Sequence, residues 1–240
     1  RHIGWVNNEL GAEVSGSRFA YITGAAVQIE FALVQWALGK LVARGFNPVV
    51  PPVLVREQMM IDAGFFPTDQ NQVYGMPEDD LYLVGTAEVP LAGMHRKDRL
   101  DLDKLPLRYA GFSSCFRREA GTYGKDTRGI FRVHQFDKVE MFIWSPPEKS
   151  WDEHELLLEI EREILDELGL PYRVVNIAAG DLGNAAAKKY DCEVWLPSEG
   201  AYREVTSCSN YLDYSARRLD TRVKTETGSE FVHTLNGTAI

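Results

Sequence analysis

Two strand-like runs separated by a polar loop occupy the middle of the chain, between Phe112 and Phe142. The first run ends in two arginines and a glutamate, Arg117, Arg118 and Glu119. The second run alternates, and one of its faces carries Arg132, His134, Phe136, Lys138 and Glu140. Because strand side chains repeat every two residues, Arg117 and Glu119 share a face, and so do Phe136 and Glu140. A face this polar is not expected in a core, so the pattern predicts that it lines a site.

The predicted face has the side chains and the length of a site for a nucleotide and a small amino acid. Phe136 and Glu140 lie four strand residues apart, or roughly 13 Å. An aromatic ring stacks on a base, a guanidinium such as that of Arg117 forks onto a phosphate, and a carboxylate binds an ammonium or a hydroxyl. This combination predicts the joining of an amino acid to the α-phosphate of ATP.

Six segments then match, in order, the signatures of one family. They are Ser15–Tyr21 (SGSRFAY), Gly45–Pro52 (GFNPVVPP), Gly85–Leu91 (GTAEVPL), Phe112–Phe142, Glu204–Asn210 (EVTSCSN) and Thr234–Ile240 (TLNGTAI). The chain resembles the seryl-tRNA synthetases of class II, in which these segments are an entry strand, motif 1, the TxE serine motif, motif 2, the nucleotide-metal strand and the start of motif 3. The TAE sequence is similar to that of the bacterial, zinc-free type. The resemblance implies one catalytic domain over residues 1–240.

The resemblance also implies the residues of the site. For ATP they are Arg117, Arg118, Glu119, Val133, His134, Gln135, Phe136, Glu204, Val205, Thr206 and Ser207. For L-serine they are Thr86, Glu88, Arg117, Glu140, Asn236 and Thr238. Arg117 and Glu119 are the expected catalytic pair, with Arg117 on the α-phosphate and Glu119 on the adenine amino group. His134 is expected to be a hydrogen-bonded structural residue rather than an acid–base catalyst. The reaction needs no protein nucleophile, because positioning and charge stabilisation carry it.

Each main site residue has a plainer interpretation. Arg117 could form a surface ion pair with Glu119, Phe136 could pack in the core, and Glu88 could be a carboxylate at a helix N-terminus. The polar residues that share the face of Phe136, and the presence of all six motifs, favour a binding site over these plainer interpretations.

The resemblance places Mg²⁺ at Glu204 and Ser207, and oxygen ligands suit that ion. Strict strand alternation would put these two residues on opposite faces, so the sequence predicts a bulge or a strand end between them. Zinc is not expected, since Cys115 and Cys208 are the available thiols and no CxxC or HxxxH spacing is present.

Composition restricts the class of protein. A chain of 240 residues is long enough for one substantial core. The net charge of −9 argues against a generic nucleic-acid binder. Three widely spaced cysteines suggest free thiols in a reducing compartment, the cytoplasm. The N-terminus does not read as a secretory signal, and the most apolar helix, near Phe31–Val42, is expected to be too short to cross a membrane.

The periodicity predicts an α+β fold, an antiparallel sheet flanked by helices. Helices are expected over Ala25–Arg44, Val55–Gly64, Ala87–Arg96, Trp151–Leu168 and Leu182–Lys189. The apolar face of the first is expected to carry Val27, Phe31, Val34, Leu38 and either Leu41 or Val42. Strands are expected over Leu107–Glu119, Gly129–Trp144, Tyr172–Ile177, Cys192–Leu196, Tyr202–Tyr211 and Phe231–Thr238. Motif 1, with Pro51 and Pro52, suits a sheet edge in a homodimer.

Three functions remain open. The family holds serine tRNA with an N-terminal helical arm, which is not found before Ser15, and its motif 3 continues to an arginine beyond Ile240. The chain is therefore expected to be the catalytic domain of a synthetase, a ligase that loads amino acids onto a carrier protein, or a non-catalytic paralogue. The intact TAE motif, Arg117 and the EVTS strand favour the first.

Overall fold

The computed structural model describes residues 4–121, 129–226 and 228–240. Part of the predicted motif 2 loop, including Gly124, Lys125 and Arg128, lies outside the described residues. The helices are α1 Asn8–Ser15, α2 Ala25–Ala43, α3 Glu57–Asp62, α4 Glu88–Gly93, α5 Ser150–Glu167 and α6 Tyr214–Leu219. The strands are β1 Val6–Asn7, β2 Tyr21–Ile22, β3 Asn47–Val49, β4 Leu54–Arg56, β5 Gly75–Met76, β6 Leu81–Leu83, β7 Arg99–Leu100, β8 Leu107–Phe116, β9 Gln135–Ser145, β10 Tyr172–Asn176, β11 Lys188–Leu196, β12 Ala201–Asn210, β13 Arg222–Thr225, β14 Gly228–Phe231 and β15 His233–Thr238.

A seven-stranded sheet in the order β10-β11-β12-β15-β9-β8-β3 organises the chain. Neighbouring strands are antiparallel, except that the edge strand β3 runs parallel to β8. The predicted α+β class is therefore confirmed, and the motif 1 segment does lie at a sheet edge.

The interior strand β9 is buried on both faces from Val139 to Ser145, and its alternating side chains point into two cores. Met141 and Ile143 point to one core, which contains Leu157 and Ile164 of α5. Phe142 and Trp144 point to the other core, which α4 and α6 cover. The amphipathic period predicted for α5 is thus confirmed, and the helix is followed by Gly169 at a φ of 66°.

Three local predictions are wrong. Leu182–Lys189 is not a helix, because residues 182–187 form turns and Lys188 already pairs with Asn210 in β11. Strand β8 ends at Phe116, and Glu119 has a left-handed φ of 51°, which no strand continues through. Strand β9 begins only at Gln135, so Arg132–His134 precede it. The two strand ends were misplaced because the alternation of side-chain types in the sequence extends beyond the residues that pair between β8 and β9.

Helix α2 is less buried than its composition suggests. Of the two residues weighed for the end of its apolar face, Leu41 is buried and Val42 is 51% exposed. Phe31 is 61% exposed, contrary to its predicted place on that face. The helix spans 19 residues, and by length and composition alone it is long and apolar enough to cross a membrane, contrary to the expectation that it is too short. Its Lys40 pairs with Glu163 of α5 at 2.9 Å, so one side of α2 is held against the domain.

Gly111 marks a close approach of β8 to α4. A Cβ atom there would lie 2.7 Å from Leu91 Cδ1 and 3.2 Å from Ala87 Cβ. We expect Gly111→Ala to reduce the free energy of unfolding by about 1–3 kcal/mol, because the core must shift to admit the methyl group. Urea unfolding measures this. Gly39→Ala on α2, where nothing lies within 4 Å, is the matched control and should be neutral or stabilising. Equal midpoints for the two variants would contradict the close packing.

Candidate active site

A cavity of 560 Å³ opens over one face of the sheet, where β9, β12 and β15 meet the end of β8. Nine of the predicted site residues line it, namely Arg117, Glu119, Val133, Phe136, Glu204, Val205, Thr206, Ser207 and Thr238. The structure thus brings together the predicted phosphate, adenine and metal residues, although they come from segments about 70 residues apart.

Arg117 directly follows the end of β8 and lies beside Gly85, the first residue of the TAE segment. Its guanidinium carbon is 5.2 Å from the centre of the Phe136 ring, and its Nε donates to Gly85 O at 3.3 Å. The ion pair formed by Glu119 is with Arg132, at 2.6 Å, rather than with Arg117. Arg117 is exposed and Phe136 half-buried, so neither is taken up by the core. Both side chains are available at the cavity wall.

Three predicted ATP residues do not line this cavity. The Arg118 guanidinium carbon lies 5.8 Å from the Tyr74 ring centre. His134 Nδ1 lies 2.9 Å from Arg117 O, and the ring packs 5.1 Å from Phe19. Gln135 is exposed at the start of β9 and pairs with Phe116. His134 is therefore a hydrogen-bonded residue that holds Arg117, in agreement with its expected structural role.

The predicted serine residues form a buried polar cluster beside the cavity. Thr86, Glu88, Glu140 and Asn236 are each at most 6% exposed. The Thr86 hydroxyl accepts a hydrogen bond from the backbone N–H of Glu88 at 3.2 Å, at the first residue of α4. The Glu88 carboxyl lies in the cluster, beside Glu140 and Tyr211. Glu140 pairs across the sheet with Thr238 and forms a 2.6 Å ion pair with Lys138. The structure brings all these predicted residues together.

The cluster contains a residue that the sequence reasoning missed. Tyr211 lies next to Glu88 and Asn236, and burial, followed by the charge of Glu88, raises the pKa of its hydroxyl well above its usual range. The position directly after the EVTSCSN strand was the available signal.

The carboxyl groups of Glu88 and Glu140 lie together in the buried cluster, and the pKa of each is raised above its usual value. Burial, followed by the nearby charge of Glu140, raises the pKa of Glu88 to about 8. Burial also raises the pKa of Glu140, although Lys138 opposes that shift. A ligand carrying a positive charge would satisfy both carboxylates.

The Glu88 shift predicts an inverse dependence of stability on pH. The folded protein binds this proton more tightly than the unfolded chain, so the free energy of unfolding should fall as pH rises from about 4.5 toward about 8. The contribution is about 1 kcal/mol per pH unit. Denaturant unfolding of the ligand-free protein at several pH values checks it. Glu88→Gln should flatten the slope, whereas the exposed Glu148→Gln should not; an unchanged slope in Glu88→Gln would refute the assignment.

A β-bulge organises the segment predicted to hold the metal. Cys192 pairs with Thr206 but Glu193 pairs with Glu204, so Val205 is the extra residue. The bulge predicted from the sequence is confirmed. It turns Glu204 to the face that also carries Ser207, and both residues line the cavity. The thiols weighed for zinc, Cys115 and Cys208, lie on β8 and β12, which β15 and β9 separate.

Comparison with known proteins now identifies the family. Residues 72–240 match the model of the tRNA synthetase class II core domain (G, H, P, S and T). The chain therefore belongs to the class II tRNA synthetase core domain family. The resemblance to seryl-tRNA synthetases is confirmed by its relatives. It is 56% identical over 237 residues to a serine–tRNA ligase from Thermobifida fusca, covering 98% of this chain and 56% of that protein.

Solved structures agree with this assignment. A seryl-tRNA synthetase from Pyrococcus horikoshii complexed with ATP superposes with a TM-score of 0.96 at 50% identity, over 99% of this chain and 54% of that one. A cytoplasmic serine–tRNA ligase from Naegleria fowleri in complex with AMP gives a TM-score of 0.93 at 39% identity, over 99% and 57%. The chain thus spans little more than half the length of these relatives.

Proposed function

We propose that this chain is the catalytic domain of a serine–tRNA ligase, which activates L-serine with ATP and transfers it to the 3′ end of serine tRNA. One observation carries the proposal: Arg117, just after β8, and Phe136 of β9 line one cavity wall, next to the buried carboxylates Glu88 and Glu140. The likeness to synthetase structures with ATP and with AMP supports the nucleotide assignment.

In this proposal Phe136 stacks on adenine and Glu119 holds the adenine amino group. The guanidinium of Arg117 covers the Phe136 ring in the described structure, so a stacked base takes its place. Arg117 then turns to the α-phosphate and forks onto it. As the serine carboxylate attacks phosphorus and pyrophosphate leaves, Arg117 stabilises the charge that develops on the phosphate oxygens.

The buried cluster is proposed to bind serine. Glu88 and Glu140 offer carboxylates for the ammonium and the hydroxyl, and Thr86, Asn236 and Thr238 complete the polar wall. A pocket built to hydrogen-bond the serine hydroxyl rejects alanine, because its polar groups would be left unpaired.

The bulged segment fits Mg²⁺ bound together with ATP. It offers one carboxylate, Glu204, and one hydroxyl, Ser207, on the same side of the cavity. Among the described residues no three His, Cys, Asp or Glu side chains form a metal cluster. Mg²⁺ commonly takes one or two carboxylates plus substrate phosphates and waters, so this donor set suits it. When bound, the ion would neutralise phosphate charge.

Two reactions test the proposal in a version of the protein that spans the full length of its relatives. We expect serine-dependent exchange of pyrophosphate into ATP, and charging of serine tRNA in the same preparation. Alanine and threonine are the matched amino-acid controls. Transfer of serine to a carrier protein in place of tRNA would favour the alternative ligase, and the absence of any exchange would favour a non-catalytic paralogue.

The exposed side of α2 supports a homodimer, and the free thiols support a cytoplasmic location. Phe31 and Val42 lie on one side of α2 and leave apolar surface uncovered, and Val50, which follows β3 at the sheet edge, is 81% exposed. Closed two-fold symmetry is the commonest oligomeric arrangement.

Light scattering at micromolar concentration should therefore give twice the chain mass. Phe31→Asp should yield monomers, because it places a charge in the apolar face. The matched control is Val174→Asp on β10 at the opposite sheet edge, where Val174 is 38% exposed. A monomeric wild type, or equal effects of the two variants, would contradict this interface.

A further inference from the structure

One carboxyl group lies fully buried behind the active-site sheet. Glu161 of α5 is 0% exposed and occupies the core side of the helix, between Leu157 and Ile164. Burial raises the pKa of this carboxyl well above its usual range. A glutamate is rarely buried to this extent without a specific partner, so its contacts are informative.

The partners of Glu161 are the two residues at the start of the bulge. Its Oε2 accepts hydrogen bonds from the Thr206 hydroxyl at 3.1 Å and from the Cys192 thiol at 3.6 Å. Thr206 and Cys192 face each other across β12 and β11, and they form the regular pair that adjoins Val205. One carboxyl oxygen therefore holds both strands where the register shifts.

The second oxygen of Glu161 faces the serine strand. Oε1 is buried without a hydrogen-bond partner among the described residues, and it lies 3.2 Å from where a Cβ atom of Gly237 would be. Gly237 stands between Asn236 and Thr238 in β15. Oε1 therefore lies close to β15 where a glycine leaves room for it, whereas Oε2 is joined to β12 by a hydrogen bond.

We propose that Glu161 is a positioning residue for the nucleotide and metal side of the active site. By fixing Thr206 from behind the sheet, it fixes the bulge that turns Glu204 to the cavity beside Ser207. The inference rests on the proposed function of that cavity. Loss of the hydrogen bond should displace the bulged segment, while an apolar side chain of similar size should still fill the space beside Gly237 of β15. The binding of Mg²⁺–ATP should then weaken more than the binding of serine.

Three variants of the full-length enzyme test this in pyrophosphate exchange. Glu161→Gln keeps an acceptor oxygen, so its KM for ATP should stay within about twofold of wild type. Glu161→Leu should raise the KM for ATP and the half-saturating Mg²⁺ concentration about tenfold, or ~1.4 kcal/mol, with the KM for serine within about twofold. Thr206→Val should raise the KM for ATP similarly. The double variant should be no worse than the more affected single variant, since the same hydrogen bond is lost.

A control on the same helix separates positioning from stability. Glu153 of α5 pairs with Arg108 at 2.6 Å, away from the bulge. Glu153→Leu should lower the unfolding temperature without changing the KM for ATP.

Four results would overturn the proposal. They are an unchanged KM for ATP in a folded Glu161→Leu, equal rises in the KM values for ATP and serine, additive effects in the double variant, and no effect of Thr206→Val. If Glu161→Leu fails to fold, the last of these results decides, because Thr206→Val removes the same hydrogen bond from the other side. If wild type shows no exchange, the proposed function fails instead, and calorimetry of Mg²⁺–ATP binding to the same variants still tests Glu161.

Discussion

Replacing Arg117 by alanine is expected to lower serine-dependent pyrophosphate exchange by about 10²–10³-fold in kcat/KM, equivalent to ~3–4 kcal/mol of transition-state stabilisation. The guanidinium lies at the cavity wall over Phe136, within reach of a phosphate attached to a nucleotide stacked there. It is proposed to stabilise charge that develops only during the reaction. The loss should therefore appear mainly in kcat.

The matched control is Arg99→Ala, since Arg99 forms an exposed pair with Asp220 at 2.9 Å outside the cavity. That variant should exchange pyrophosphate like wild type. Arg117→Lys keeps a positive charge but loses the fork, so it should fall between wild type and Arg117→Ala. A loss of less than tenfold in Arg117→Ala would show that another group makes the main phosphate contact.

Replacing Glu140 by glutamine should reduce kcat/KM for serine by about 30- to 1,000-fold, or ~2–4 kcal/mol. Glu140 is 2% exposed and paired with Lys138 at 2.6 Å, so the substitution leaves a buried ammonium without its carboxylate. It also removes a group proposed to bind the substrate. The KM for ATP should change little, because Phe136 lies about 13 Å away along β9.

Alanine as a competing substrate shows what Glu140 binds. If activation of alanine falls as much as that of serine, the carboxylate holds the ammonium that both substrates carry. A loss confined to serine would assign it to the hydroxyl. Glu153→Gln, at another buried ion-paired glutamate, controls for general destabilisation. If Glu140→Gln lowers kcat/KM for serine by less than threefold, Glu140 is not a serine-binding residue.

Residue pattern, together with the family resemblance, predicted several local features around the candidate site. The alternation around Phe136 and Glu140 predicted a polar face on a strand, and β9 carries both residues. The apolar period over Trp151–Leu168 predicted α5 to within one residue at each end. The conflict between strand alternation and the expected roles of Glu204 and Ser207 predicted the bulge that the register at Val205 shows. Each of these three features depends on residues that are close together in the sequence, so a single short segment contains the pattern that predicts it.

The remaining features depend on segments that are distant in sequence. Strand order places β15 between β12 and β9, and only this order brings Asn236 and Thr238 to Glu140 and Glu161 to Thr206. Glu161 reads in sequence as one more charged residue of an amphipathic helix, although it follows Leu157 by four positions on the core side.

Contacts between distant segments also explain why some element boundaries, and the exposure of part of α2, were predicted incorrectly. Leu182–Lys189 has helix-forming residues, but pairing of Lys188 with Asn210 begins a strand there. Phe31 belongs to the apolar stripe of α2, yet no described segment covers it. The sequence by itself determined the period, the charge and the donor groups of each element. The tertiary structure decided which elements adjoin and which side chains are desolvated, because burial and hydrogen bonding arise between segments that approach each other only after folding.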